Sequence, residues 1–262
     1  MIDFLIGYLC QILLTVGIIA LFGLIIAGLR RLFCSICGRS GPTLLLITGL
    51  VGTPIHELSH ALMCVLFGHK ITEIKLYQPN SNSGTLGYVT HTYNRKNIYH
   101  QIGNFFIGTA PITVGCGVLM LIMGLLTPDA FDMMISDAES ISTIGDFLPF
   151  ISTVLEELFV SGVEEWKTWV FLVLAIMIAS HMEMSGADIK GSLGGLGILS
   201  LLWLVVSGAI FLISSSVFED MTVLFTSFAF VLSAFFSIAI IFLVILVLFA
   251  LLIKLITAPF RR

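Results

Sequence analysis

Apolar residues run along this chain in long blocks separated by short polar intervals. Six blocks approach the roughly 20 residues that a membrane-spanning helix needs: 4–29, 43–67, 102–126, 166–182, 194–214 and 222–256. The pattern predicts an all-α polytopic membrane protein with about six transmembrane helices. The first block is longer than a signal-peptide core and has no basic stretch before it, so it reads as a retained helix.

Two connections break the apolar pattern. From Lys70 to Tyr77, and again from Gly87 to Tyr93, β-branched and aromatic residues alternate with polar ones, and the run Pro79-Asn-Ser-Asn-Ser-Gly84 between them is built of turn residues. This predicts a small membrane-associated β-hairpin. The second connection, 127–165, carries Asp129, Asp132, Asp137, Glu139, Asp146, Glu156, Glu157, Glu164 and Glu165 and no Lys or Arg. It reads as a solvated acidic loop with short amphipathic pieces. The chain then divides into a first helix with its loop (1–42), a membrane core (43–195) and C-terminal helices (196–262).

Composition agrees with a lipid setting. Hydrophobic residues make up 58% of the chain and charged residues 11%, with a mean hydropathy of +1.09, far from the soluble balance. The net charge of −4 and the scattered basic residues give no basic face, which excludes nucleic acid as a partner. With six spans, Lys70, Lys75, Arg95, Lys96, Lys190, Lys254, Arg261 and Arg262 fall on one side and Arg30, Arg31, Arg39 and Lys167 on the other. The richer side, with the hairpin and both termini, is expected in the cytoplasm. Of the five cysteines, Cys10, Cys64 and Cys116 lie in apolar runs and read as small hydrophobes, and the lone Cys34-Ser-Ile-Cys37 pair reads as an ordinary loop pair.

The chemistry sits in the second block. His56-Glu57-Leu-Ser-His60 is an H-E-x-x-H pattern embedded in apolar helix-forming sequence. Four residues apart on a helix, His56 and His60 stand one turn above each other and can offer two imidazoles to one Zn2+, with Glu57 beside them to handle a proton. Ionisable groups cost about 2.5–3.5 kcal/mol each at the centre of a bilayer, so a set placed there has work to do. Pro54, with Gly49 and Gly52, predicts either a bend before His56 or a fresh helix start capped by Thr53.

A catalytic zinc takes three protein ligands and keeps a position open. The third comes from among His69, His91, His100, His181, Glu183 and Asp188. The first three belong to the hairpin connection and read as plain polar loop residues. Asp188 stands between the fourth and fifth blocks, where the chain can turn a carboxylate into the bundle. The main rival is His181, and a helix cap is the alternative role for Asp188.

These residues resemble the site-2 protease family of intramembrane metalloproteases. His56-Glu57-Leu-Ser-His60 is similar to its zinc motif, Gly68-His69-Lys70 and Gly87-Tyr88-Val89 to its β segment, and Ile102-Gly103-Asn104 through Gly108-Thr109-Ala110-Pro111 to the opening of its next core helix. Ala187-Asp188-Ile-Lys-Gly191 resembles its aspartate ligand element loosely, the glycine standing three residues after the aspartate instead of one. The resemblance implies a zinc metalloendopeptidase that cleaves membrane proteins in or near a transmembrane helix, with Glu57 as general base, His56, His60 and Asp188 as zinc ligands, Asn104 as a candidate oxyanion donor, and the hairpin edge pairing with an unwound substrate. Two other readings stand beside it: a non-catalytic zinc-binding membrane protein on the same scaffold, and an ion- or proton-relay transporter.

Overall fold

The computed structural model describes residues 1–79, 84–141 and 143–257. Four helical stretches are long and apolar enough to cross a membrane: Ile2–Leu66, Ile98–Leu126, Gly186–Ile213 and Ser215–Ile256, with Trp166–Ala179 as a shorter apolar helix. They mark the chain as a membrane protein.

The first stretch folds back on itself. It comprises α1 (Ile2–Ile12), a π-helical turn (Leu13–Gly17), α2 (Ile18–Cys37), a single 3-10 turn (Gly38–Ser40) and α3 (Gly41–Leu66). Gly38 adopts φ 56° and ψ −123°, a conformation that breaks the helical path and that glycine reaches without steric cost. Arg30 pairs with Glu183 while His56 bonds the carbonyl of His181, so positions 30 and 56 sit near one another. A straight helix would hold them about 39 Å apart. The two arms of this reversal therefore run antiparallel.

After α3 come β1 (Lys70–Lys75) and β2 (Tyr88–Thr92), an antiparallel pair with Ile71 opposite His91, Ile74 opposite Val89 and Lys75 opposite Tyr88. The expected hairpin is present. Residues 80–83 of its expected turn lie outside the described residues, as do Arg261 and Arg262. The hairpin folds back along α3: the Tyr77 hydroxyl donates to the Leu46 carbonyl at 2.7 Å. A Cβ at Gly87 would stand 2.7 Å from Glu57 Cγ and 2.9 Å from Thr53 Cγ2, so only glycine lets the strand approach this closely.

α4 (Ile98–Leu126) is the central helix of the bundle, and its buried side carries Ile107, Ile112, Leu119 and Met123. The 127–165 connection differs from the sequence expectation. It folds into α5 (Pro128–Ser140) and α6 (Phe147–Glu156), and these pack on the main core through Ala130, Met134, Ala138, Phe150 and Val154. Asp129, Asp132 and Glu156 are exposed on helices whose inner faces are apolar.

α7 (Trp166–Ala179) and α8 (Gly186–Ile213) follow, expected as two separate spans. They run the same way. Met182 packs at Gly115, Asp188 at Gly108, and Gly195 against Gln101 and Phe105, so the chain descends α4 continuously from α7 through the 180–185 turn into α8. Of the two, Trp166–Ala179 is the shorter apolar helix, and Gly186–Ile213 is long and apolar enough to cross a membrane by itself. α9 (Ser215–Thr257) returns antiparallel to α8, Phe218 meeting Phe211 at its start and Phe242 meeting Phe171 farther on. The N-terminal helix lies near the start of α9, where a Cβ at Gly7 would meet Phe218, whereas Phe33 near the end of α2 packs with Val247 and Ala250. The described ends of the chain thus sit at opposite ends of the bundle.

Candidate metal centre

α3 runs through Pro54 as one helix, so His56 stands in a helix interior and Thr53 is not a cap. His56, Glu57 and His60 lie in the C-terminal half of the helix. The His56 and His60 rings are 4.9 Å apart at 69°, as the spacing predicts.

Backbone carbonyls fix both rings. His56 Nδ1 lies 2.7 Å from the His181 carbonyl and His60 Nδ1 lies 2.8 Å from the Ile107 carbonyl. A carbonyl only accepts, so each Nδ1 carries the proton and donates it, which leaves each Nε2 as a bare lone pair. Both carbonyls are presented by local sequence. Pro111, four residues after Ile107, has no N–H to bond the Ile107 carbonyl, and that oxygen is free for His60. The His181 carbonyl reaches His56 because α3 carries glycine at the crossing: a Cβ on Gly52 would stand 2.2 Å from the Met177 oxygen.

The two bare nitrogens face each other. His56 Nε2 and His60 Nε2 are 3.2 Å apart, and Asp188 Oδ1 is 3.4 Å from His60 Nε2. The three groups form a set whose ligand atoms all lie within 4.8 Å of one another. Asp188 occupies the N-terminus of α8 in a capping box: Ser185 Oγ accepts from the Asp188 N–H, and Asp188 Oδ2 accepts from the Ser185 N–H at 2.8 Å. Its other oxygen faces His60, so the cap leaves half of the carboxylate turned toward the histidines. Gly108 brings α8 there, since a Cβ at that position would lie 2.5 Å from the Asp188 carbonyl.

Three acceptors converging without a donor between them repel one another unless a cation lies among them. Two imidazole nitrogens and a carboxylate are the donor set of catalytic zinc sites, and nitrogen ligands at 2.0–2.1 Å from a tetrahedral zinc stand about 3.3 Å apart. The residues fit the ion. His181, the rival third ligand, supplies its carbonyl to His56, and its ring Nε2 is buried with no hydrogen-bond partner among the described residues. Glu183 pairs with Arg30.

These groups line a cavity of about 530 Å³ bounded by Arg30, Thr53, Glu57, residues 84–89 and Asp188. Glu57 is 6% exposed and faces it. The 180–185 turn between α7 and α8 forms one wall. Irregular backbone at membrane depth is tolerated where it borders such a cavity. Asn104 does not line it.

Sequence reasoning missed the histidines of the hairpin connection. His69 is 5% exposed, and with Cys64 and His91 it forms a second set of ligand atoms within 4.8 Å. Cys34 and Cys37 are free, half-buried thiols belonging to neither set.

A family model described as "putative zincin peptidase" matches residues 49–156. The match takes in the His56-Glu57-Leu-Ser-His60 motif, the hairpin and α4, and ends with α6; Asp188 lies beyond it. No curated protein and no solved structure matches the chain. The chain is thus similar to zinc metallopeptidases over the segment that carries the motif.

Proposed function

We propose that this protein is an intramembrane zinc metalloprotease that hydrolyses peptide bonds of membrane-spanning substrates, in the manner of the site-2 proteases it resembles. The observation that carries the reading is the convergence of His56 Nε2, His60 Nε2 and Asp188 Oδ1 within an apolar bundle, with the two imidazole protons committed to backbone carbonyls elsewhere. His56, His60 and Asp188 hold the ion. Bound zinc supplies Lewis acidity toward a carbonyl and toward water.

Glu57 is the proton carrier. Its carboxylate faces the cavity and is held by no side chain among the described residues, so it is free to accept a proton from the attacking water and deliver it to the departing amine. The adjoining strand handles the substrate. Residues 86–89 and His91 border the cavity, and β2 pairs only with β1 among the described residues, which leaves its other edge open. A substrate helix shields its own amides, so it must unwind before cleavage, and an open strand edge is a receptor for the unwound segment. The bundle crosses the membrane five times: α1–α2, α3, α4, the broken α7–α8 passage and α9.

The test is zinc content and cleavage of a membrane-spanning model substrate by the detergent-purified protein beside Glu57→Gln and His60→Asn. The reading expects metal retained and cleavage lost in the first, and both lost in the second. Equal cleavage by Glu57→Gln and the parent would overturn it.

A further inference from the structure

The second ligand set is assembled by the way α3 ends. Gly68 turns to φ 70°, and the His69 N–H donates to the Cys64 carbonyl at 2.8 Å while the Gly68 N–H donates to that of Val65. This is the Schellman arrangement, in which the residue two beyond the cap folds back over the one three residues inside the helix, usually as an apolar contact. Here the pair is a histidine on a cysteine. Cys64 is fully buried. It also continues the row of His56 and His60 at the next i+4 position, so both ligand sets draw on one face of α3.

His91 completes the set from β2. His69 Nε2 sits 2.8 Å from the His100 carbonyl and therefore carries the proton, which leaves His69 Nδ1 bare. That atom faces His91 Nδ1 at 3.0 Å. Tyr93 stacks on the His69 ring at 4.8 Å and 11°, fixing its plane. One thiol and two imidazole nitrogens suit a borderline-soft ion more than a hard one.

We infer that Cys64, His69 and His91 form a second metal site, for zinc or another thiophilic divalent cation, that pins the β-hairpin to the end of α3. The ion displaces the Cys64 proton, which leaves to solvent, and no redox step is involved. His91 lies on the strand that borders the cavity, one residue from Thr90 and two from Val89. Occupancy therefore sets how firmly that strand is held beside the first site. The inference is independent of the peptidase reading, because the two sites share no ligand and only the second contains sulfur.

That sulfur gives the test. The full chain in detergent is loaded with Co2+, and metal content is read together with near-ultraviolet thiolate-to-cobalt charge-transfer absorption. Two ions per chain are expected, with the band present in the parent and in a His56→Asn, His60→Asn double variant that loses one ion. Cys64→Ser and His91→Asn each lose the band and one ion. A parent without the band, or a band that survives both of these variants and disappears in Cys34→Ser, Cys37→Ser, overturns the site. An ordinary hydrogen bond between His69 and His91 is then what the geometry records. His91→Asn, on a half-buried strand, keeps the test decisive if Cys64→Ser fails to fold. A parent that binds a single ion with the band would leave this site standing and remove the first.

Discussion

Two polar islands lie inside this apolar bundle, and they differ in how donors and acceptors balance. In the first, Trp203 Nε1 donates to Gln11 Oε1 at 2.8 Å, Gln11 Nε2 donates to Thr222 Oγ1 at 2.8 Å, and Thr222 donates to the Phe218 carbonyl at 3.0 Å. Gln11 is fully buried, and every acceptor in this relay meets a donor. In the second, His56, His60 and Asp188 present three acceptors to one point with no donor among them. The first island ties α1 to α8 and α9 and needs no further partner. The second is complete only with a cation. Polarity in a membrane interior is thus not a mark of function by itself; an unbalanced set is.

Substitutions at the unbalanced island should give the largest effects. Glu57→Gln keeps the fold and the ligands but removes the proton carrier, and cleavage of a membrane-spanning substrate should fall about 10²- to 10⁴-fold with zinc content unchanged. Chelation of the parent should do the same reversibly, activity returning with added Zn2+. A Glu57→Gln enzyme that loses its metal instead would assign the carboxylate to the ligand set and break the comparison at its centre.

The next effect tests the backbone carbonyls. Pro111→Ala restores an N–H four residues after Ile107, and the helix can then reclaim the carbonyl that orients His60. Metal affinity should drop about 10- to 100-fold, the usual cost of removing a group that orients a ligand, and competition with a chelator of known affinity measures it. Unchanged affinity would show that the Ile107 carbonyl is not what holds the ring. Gly52→Ala forces a Cβ to 2.2 Å from the Met177 carbonyl, so α3 and α7 must part. A loss of about 1–3 kcal/mol in stability is expected, read by denaturation in detergent, with weaker metal binding as the His181 carbonyl withdraws from His56.

Much of this was legible in the chain because it is periodic. The His56–His60 spacing, the alternation of 70–77 and 87–93 and the apolar blocks are local patterns, and the structure bears out two neighbouring histidine rings on one helix face, a hairpin and long apolar helices. Relations across elements were not legible. Nothing in the sequence of Pro111 says that the carbonyl it frees meets a histidine 47 residues earlier. That the Asp188 side chain and the His181 carbonyl both reach the histidine pair depends on the 180–185 turn, which no local pattern announces. Hydropathy marks the 180–185 interval as a gap but not the direction in which the chain leaves it. One miss had a signal: Ala130, Met134 and Ala138 recur every four residues, the stripe of a packed helix, beneath the acidic composition that suggested a loop. Another was the Gly68-His69 pair after Cys64, a helix-ending signature whose consequence is a contact five residues back.

The smallest effect is expected at the balanced island. Gln11→Leu removes two interhelical hydrogen bonds, and in membrane proteins such bonds average about 0.6 kcal/mol each, because the partners find others when released. The Trp203 N–H and the Thr222 hydroxyl would be left within apolar surroundings, though Thr222 still bonds the Phe218 carbonyl. A stability loss of roughly 1 kcal/mol should follow, with zinc content and cleavage unaffected. If Gln11→Leu instead impaired metal binding, the two islands would be coupled through the α1–α2 helix that carries both Gln11 and the cavity residue Arg30. The polar relay would then be part of the site's support, and donor balance alone would no longer separate structure from function in this bundle.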